Sequence, residues 1–162
     1  MDAGSLTFTL CFLSRGSDIL MLHRNRPPNQ GLWNGIGGRI EAGETPRQSL
    51  LREIREESGY ALEQVRFEGV VTWEGFEIPA GGLYLFSAQA PDGEPRGNEE
   101  GELQWKPRDW VITSGEVVSN IHAFGPLIFR EEIPREHHFM YQDGQILSYE
   151  QKSLPPNLQV EW

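Results

Sequence analysis

What this chain lacks narrows its function before any motif is read. It has no apolar run near the ~20 residues that a membrane-spanning helix requires, so no membrane partner is expected. Positive charge is scarce. Lys plus Arg number 14 against 24 Asp plus Glu, a net charge of −10. Tracking along a nucleic-acid backbone needs a basic surface, so a nucleic-acid polymer is not an expected partner either. A small anionic substrate stays open, because a divalent metal held by carboxylates inverts the local field. Cysteine occurs once, at Cys11 inside the apolar run Phe8 to Leu13. A lone cysteine forms no internal disulfide. Without a basic neighbour to activate it, Cys11 reads as a small packed hydrophobe in a reducing compartment.

Other absences are equally useful. No G-K-[ST] occurs, so there is no P-loop, and Gly35 to Ile40 fails the dinucleotide pattern G-x-G-x-x-G at its last position. His137 and His138 are neighbours on a predicted strand and face opposite ways, which makes them a poor metal pair. Met1-Asp2-Ala3-Gly4 offers no basic n-region, so the expectation is a cytoplasmic protein without a secretory leader. With no repeats, low-complexity tracts or linker, residues 1–162 are expected to form a single domain, monomeric or homodimeric.

Residues 6–13 and 19–23 are rich in β-branched and aromatic side chains and predict two strands. Arg24 to Gly38, punctuated by proline and glycine, reads as a working loop. The clearest helix is 46–58. Thr45 is an N-cap, Pro46 suits the first turn, Gln48 completes a T-x-x-Q capping box, and Gly59 is a stop. Leu50, Leu51 and Ile54 supply its apolar stripe. Further strands are predicted near 65–74, 82–90 and 102–106, with a polar loop from Pro91 to Gly101. Residues 116–130 read as helical, bent or broken at Gly125-Pro126. Residues 137–150 read as a hairpin around Asp143-Gly144. Leu154-Pro155-Pro156 reads as a tail.

Helix 46–58 carries Glu53, Glu56 and Glu57 at i, i+3 and i+4, which places three carboxylates within one turn. Such a face suits hard divalent cations, which take oxygen ligands. A charge run by itself is more often a solvated surface. What changes the balance is the approach to the helix, Gly37-Gly38-Arg39-Ile40-Glu41-Ala42-Gly43-Glu44, whose glycines let the backbone come close to a ligand.

Gly38, five residues, Glu44, seven residues and then Arg52-Glu53-Ile54-Arg55-Glu56-Glu57-Ser58-Gly59-Tyr60 resemble the Nudix box, G-x5-E-x7-R-E-U-x-E-E-x-G-U. Only Tyr60 departs, an aromatic where an aliphatic residue is usual, and that concerns packing. Trp33 to Gly38 and the C-terminal hairpin resemble the MutT-like branch that hydrolyses oxidised purine nucleoside triphosphates. The likeness is strong over 31–60 and loose after 65.

The resemblance implies an α+β Nudix fold, an α/β/α sandwich with a mixed β-sheet and the box beside an open cleft. It also implies roles. Glu53, Glu56, Glu57 and the Gly37 carbonyl would bind Mg²⁺ (Mn²⁺ as the alternative), and Glu53 would activate a water. An acidic residue outside the box would add a ligand; among Glu99, Glu100 and Glu102, spacing to Trp105 favours Glu100. Arg52 would orient the glutamates and Glu44 would hold the loop. Arg24, with Arg39 and Arg26 nearby, would reach the phosphates, and Gly38 would sit close to them. Asn34 and Asn120 would read a purine edge, Ile36 would form an apolar wall, and Phe124 or Trp73 would stack on the base. One subgroup of the branch carries an Asp pair where this chain has Asn120-Ile121.

The expected activity is hydrolysis of an (8-oxo)purine nucleoside triphosphate to monophosphate and pyrophosphate, the substrate being a small-molecule nucleotide. Two alternatives stand beside it. One is a Nudix hydrolase of ADP-ribose, a dinucleoside polyphosphate, coenzyme A or a nucleotide sugar, although Phe76 and Pro79 do not form a persuasive marker for these. The other is a non-catalytic nucleotide-sensing module, which the intact box disfavours.

Overall fold

The computed structural model describes residues 6–77, 81–97, 101–156 and 158. One mixed sheet organises them. Its strands are β1 (Leu6–Arg15), β2 (Asp18–Arg24), the two-residue β3 (Trp33–Asn34), β4 (Arg66–Glu74), β5 (Gly81–Gln89), β6 (Gly101–Pro107), β7 (Arg135–Gln142) and β8 (Gln145–Lys152). The spatial order is β3-β2-β1-β5-β4-β7-β8, with β6 antiparallel to β2. The pairs β1–β5 and β4–β7 are parallel; β1–β2, β4–β5 and β7–β8 are antiparallel.

Alternation along the strands divides the interior into two cores. Leu10, Phe12, Val71, Trp73 and Leu85 face one side, with α2 (Arg108–Thr113) and α3 (Ile121–Phe129) against them. Cys11, Leu13, Val70, Tyr84 and Phe86 face the other, covered by Leu50 and Ile54 of α1 (Pro46–Ser58). Helices therefore lie on both faces of the sheet, the expected sandwich.

Helix α1 starts and stops where its caps require. The Thr45 hydroxyl accepts from the Gln48 N–H at 3.1 Å, the Gln48 side chain accepts from the Thr45 N–H at 3.0 Å, and Gly59 takes φ +79°. Its inner stripe differs from expectation. Leu51 is only half-buried, and Ser49, Glu57 and Ser58 are buried beside Leu50 and Ile54. Tyr60 fills its apolar position while its hydroxyl donates to the Gly93 carbonyl at 2.8 Å.

The predicted helix over 116–130 is shorter, beginning at Ile121, and it runs through Pro126 unbroken to Phe129. Tertiary packing overrides propensity here: a Cβ on Gly125 would stand 3.0 Å from Ile112 of α2, so the two helices touch at the glycine. Helix α2 has only six residues, too few to show a helical period in sequence. The hairpin turn is as expected, with Asp143 and Gly144 at φ +52° and +77°. The expected tail at Leu154 instead folds back. Leu154 packs on the α1-side core and Pro155 is buried. Among the described residues no helix is long and apolar enough to cross a membrane.

Candidate functional site

The approach loop is not free. It lies antiparallel along β1, through Thr9 N–H to Gly38 O at 2.9 Å, Cys11 N–H to Ile36 O at 2.7 Å, Ile36 N–H to Cys11 O at 3.0 Å and Ile40 N–H to Thr7 O at 2.8 Å. In such a ladder alternate residues turn their polar groups to opposite sides. Ile36 and Gly38 therefore serve β1, and Gly37 points its N–H and carbonyl toward α1. The Gly37 N–H donates to Glu57 Oε2 at 3.2 Å.

Glycine is required at both central positions. A Cβ on Gly37 would lie 1.9 Å from the Thr9 carbonyl oxygen, and one on Gly38 would lie 2.6 Å from the Glu53 carboxyl carbon. The loop backbone and the helix carboxylates thus share one small space.

Arg52 ties that space together. Its guanidinium grips Glu44 in two bonds, 2.6 and 3.0 Å, and reaches Glu53 at 2.8 Å, Glu56 at 3.3 Å and the Arg39 carbonyl at 3.2 Å. The hydrogen bond from Arg52 lowers the Glu44 carboxyl to about 2. The same pairing raises Arg52 above its ordinary value. Glu44 also accepts from the Glu41 N–H at 2.9 Å, which closes the loop onto the helix.

The three box glutamates differ in setting. Glu57 is buried, Glu53 is 13% exposed and Glu56 is 60% exposed. With these rotamers no group of three or more acidic, His or Cys side chains is gathered for a metal among the described residues. Glu53 and Glu56 lean on Arg52, and Glu57 on Gly37. The residues nonetheless fit a hard divalent cation: carboxylate oxygens one turn apart face a glycine loop that a side chain would obstruct.

Beside this face lies a cleft of about 350 Å³, bounded by Gly37, Gly38, Arg39 and Glu53 at one end. Its apolar wall is a chain of aromatics. Phe8 and Trp73 lie 6.2 Å apart, Trp73 and Phe76 6.2 Å, and Phe76 and Tyr141 4.9 Å. Asn34 and Asn120 also line it. The Asn34 side-chain oxygen accepts from the Gly35 N–H at 2.8 Å, which leaves its NH₂ as the group available to a ligand. Asn120 is hydrogen-bonded to Tyr141, whose hydroxyl burial pushes up to about 12.

The cleft thus brings together Gly37, Gly38, Glu53, Arg24, Arg39, Asn34, Asn120 and Trp73 from the sequence reading. Arg24 lines it while its guanidinium Nε donates to the Pro28 carbonyl at 2.8 Å, bracing its own turn. Arg39 lies over the Phe8 ring at 4.8 Å. Two expectations need correction. Ile36 is no wall of the cleft: its side chain is fully buried in the α1-side core, because the ladder on β1 turns it inward. Phe124 is likewise fully buried in the opposite core and has no face to offer a base.

Glu99, Glu100 and Pro79 lie outside the described residues. Glu102 is exposed on β6, opposite His23, and bonded to Gln104 at 2.9 Å. Phe8, Leu83 and Tyr141 were missed as cleft residues. In sequence they are ordinary alternating strand positions, and only the registers that align β1, β5, β4 and β7, parallel in β1–β5 and β4–β7 and antiparallel in β4–β5, bring their ends to one opening.

Comparison with known proteins agrees with this geometry. The family model described as the NUDIX domain matches residues 6–124. An oxidized purine nucleoside triphosphate hydrolase of Mus musculus is 29% identical over 147 residues, covering 90% of this chain and 93% of that protein. The protein of the same name from Danio rerio is 31% identical over 129 residues, covering 79% and 82%. The crystal structure of a MutT protein from Bacillus halodurans superposes with a TM-score of 0.77 at 25% identity, covering 89% of this chain and 95% of that one.

Proposed function

The chain belongs to the NUDIX domain family, and from that premise we propose that it hydrolyses a purine nucleoside triphosphate, an oxidised one such as 8-oxo-dGTP, to the monophosphate and pyrophosphate with Mg²⁺ (or Mn²⁺) as cofactor. One observation carries this reading: the Arg52-bound Glu53 carboxylate and the Gly37-Gly38 backbone open onto a cleft walled by aromatics and two asparagines. A phosphate chain suits one end and a planar base the other. The named similarity to oxidized purine nucleoside triphosphate hydrolases supports the same substrate class.

Nudix hydrolases work with a divalent metal. Here Glu53, Glu56, Glu57 and the Gly37 carbonyl would hold it, with Glu100 proposed as a further ligand on its spacing to Trp105 alone. When bound, such a cation neutralises phosphate charge and makes a water acidic enough to attack phosphorus near neutral pH. Glu53 would accept that water's proton. Arg52, gripped by Glu44, would keep Glu53 and Glu56 at the mouth of the cleft. Arg24 and Arg39 would meet the phosphates, for which the planar, always-charged guanidinium is well suited. Asn34 and Asn120 would read the base edge, and Phe8, Trp73 and Phe76 would pack against its face.

Incubation with Mg²⁺ and 8-oxo-dGTP, followed by chromatography, tests the proposal. Monophosphate and pyrophosphate should form, and EDTA should abolish them. Product no greater than in the metal-free control would overturn it.

A further inference from the structure

Strand β1 carries a bulge near its start. It pairs with β5 at Leu6↔Gly82 and next at Phe8↔Leu83, so Thr7 is the extra residue. In a regular strand residues two apart share a face. Here they do not: Leu6 packs in the α1-side core, whereas Phe8 packs against the opposite core, on the side of Leu10 and Phe12. Bulges re-aim side chains, and this one turns the Phe8 ring into the lining of the cleft.

The same stretch of β1 receives the glycine loop. Phe8 stands opposite Arg39 in an antiparallel bridge, fixed on either side by Thr9 N–H to Gly38 O at 2.9 Å and Ile40 N–H to Thr7 O at 2.8 Å. Directly opposed residues send their side chains to one side of a ladder, with Cβ atoms about 5 Å apart. The Arg39 guanidinium accordingly lies over the Phe8 ring, 4.8 Å from its centroid. That is within the ~6 Å over which a ring face attracts a cation.

The two halves of Arg39 are thus held by different partners. Its carbonyl accepts from Arg52 at 3.2 Å, which ties its backbone to the carboxylate network. Its side chain is exposed, and among the described residues no salt bridge holds the guanidinium. A long side chain without a fixed partner samples many rotamers, and ordering it on binding costs affinity. Phe8 is half-buried and packs against the sheet core, so its ring is a steady platform for a side chain that otherwise has none.

Gly37, Gly38, Arg39 and Glu53 line one end of the cleft. On the function proposed above, on which this inference rests, that end receives the phosphate chain. We propose that Phe8 is a positioning residue for Arg39: its ring face holds the guanidinium over the cleft before substrate arrives, so the phosphates meet a cation already in place. The bulge at Thr7 is what makes this possible, since a regular β1 would turn Phe8 to the other face of the sheet.

The test replaces Phe8 in the whole chain by 4-fluoro-, 3,5-difluoro- and 3,4,5-trifluorophenylalanine. Fluorine withdraws charge from the ring face and barely changes its size, so packing is kept while the attraction for a cation fades. The probe is inorganic tripolyphosphate with Mg²⁺, which has no base to pack on the ring. Its Kd should rise step by step, by about 2- to 5-fold at the trifluoro ring, the range of an exposed cation–π contact. In an Arg39→Met background the series should be flat. With 8-oxo-dGTP, KM should rise in the same order while kcat changes less. A flat series in the parent, or equal slopes with and without Arg39, would overturn the proposal, because the ring would then serve only to pack. Tripolyphosphate binding needs no hydrolysis. A chain that binds it in this graded way but cleaves no nucleotide would refute the proposed activity and leave the positioning role standing.

Discussion

Gly37→Ala is the substitution whose consequence can be worked most directly from the structure. The new methyl would stand 1.9 Å from the Thr9 carbonyl oxygen, 2.6 Å from its carbon and 2.8 Å from Leu10 Cα, where ordinary contact begins near 3.4 Å. All three neighbours are backbone of β1, which is held in place by its parallel ladder with β5, so the loop must yield rather than the sheet. Moving it outward by about 1.5 Å breaks the bonds of Gly38 O to Thr9 and of Ile36 to Cys11 in both directions. Three such bonds at about 1 kcal/mol each cost about 3 kcal/mol of stability. The same displacement shifts the Gly37 N–H and carbonyl relative to the α1 carboxylates and disturbs the bond to Glu57. A misplacement of about 1 Å at a reacting centre lowers turnover by about 10²-fold. Urea denaturation and steady-state hydrolysis read the two effects. Gly115→Ala, where a Cβ meets nothing within 4 Å, is the control and should change stability by less than about 0.5 kcal/mol. A Gly37→Ala protein as stable and as active as the parent would show that the loop does not press on β1 as described.

Other predictions follow from the same geometry. Glu56→Gln should lower kcat by at least ~10²-fold with little change in stability, since the residue is largely exposed; unchanged turnover would mean that the helix face is not the metal site. Arg52→Met should remove a stabilising pair whose effect on Glu44 is pH-dependent. Because the folded Glu44 carboxyl is depressed to about 2, that stabilisation is present above its ordinary 4.5 and lost as pH falls through about 2. The stability difference between parent and variant should therefore shrink over that acid range, and a constant difference would refute the pairing. His137 is buried, and burial lowers its imidazole from 6.5 to about 4. It stays neutral in the fold while the unfolded chain takes up a proton, so stability is full above pH 6.5, declines toward pH 4 and falls no further below it from this cause. The loss is at most about 3 kcal/mol. His137→Phe should flatten that slope in denaturation curves taken from pH 7 to 4. Tyr141→Phe should leave the fold intact but raise KM for a purine nucleotide a few-fold by freeing Asn120. An unchanged KM would place Asn120 outside base recognition.

The parts of the site legible in sequence are those made by neighbours in the chain. Helix α1, its capping box and its three glutamates follow from local spacing, whereas the Arg52–Glu44 pair that joins loop to helix appears only in the structure. The parts that were not legible depend on long-range register. Phe8 and Tyr141 meet at the cleft only because β1–β5 and β4–β7 run parallel, and β4–β5 antiparallel, which brings their ends together. Ile36 looked like a cleft wall beside Asn34. Yet a two-residue step along a ladder keeps a side chain on one face, whereas Ile36 and Asn34 straddle the point where the chain leaves β2 for β1. Pro126 read as a breaker because proline costs a free helix dearly, but packing of α3 on α2 and the sheet outweighs that cost.

By itself the sequence determined the chemistry available: one turn of helix bearing carboxylates, a glycine loop before it, and an arginine placed to orient the glutamates. These are short-range consequences of helical geometry and backbone sterics. The tertiary structure alone decided what that chemistry faces. It set the glycine loop against β1, buried Ile36 and Phe124, and assembled an aromatic wall from distant strand ends. By one bulge in β1, it also turned Phe8 into the lining of the cleft. Strand register, and not composition, fixes which faces meet, since a shift of one residue reverses every side chain.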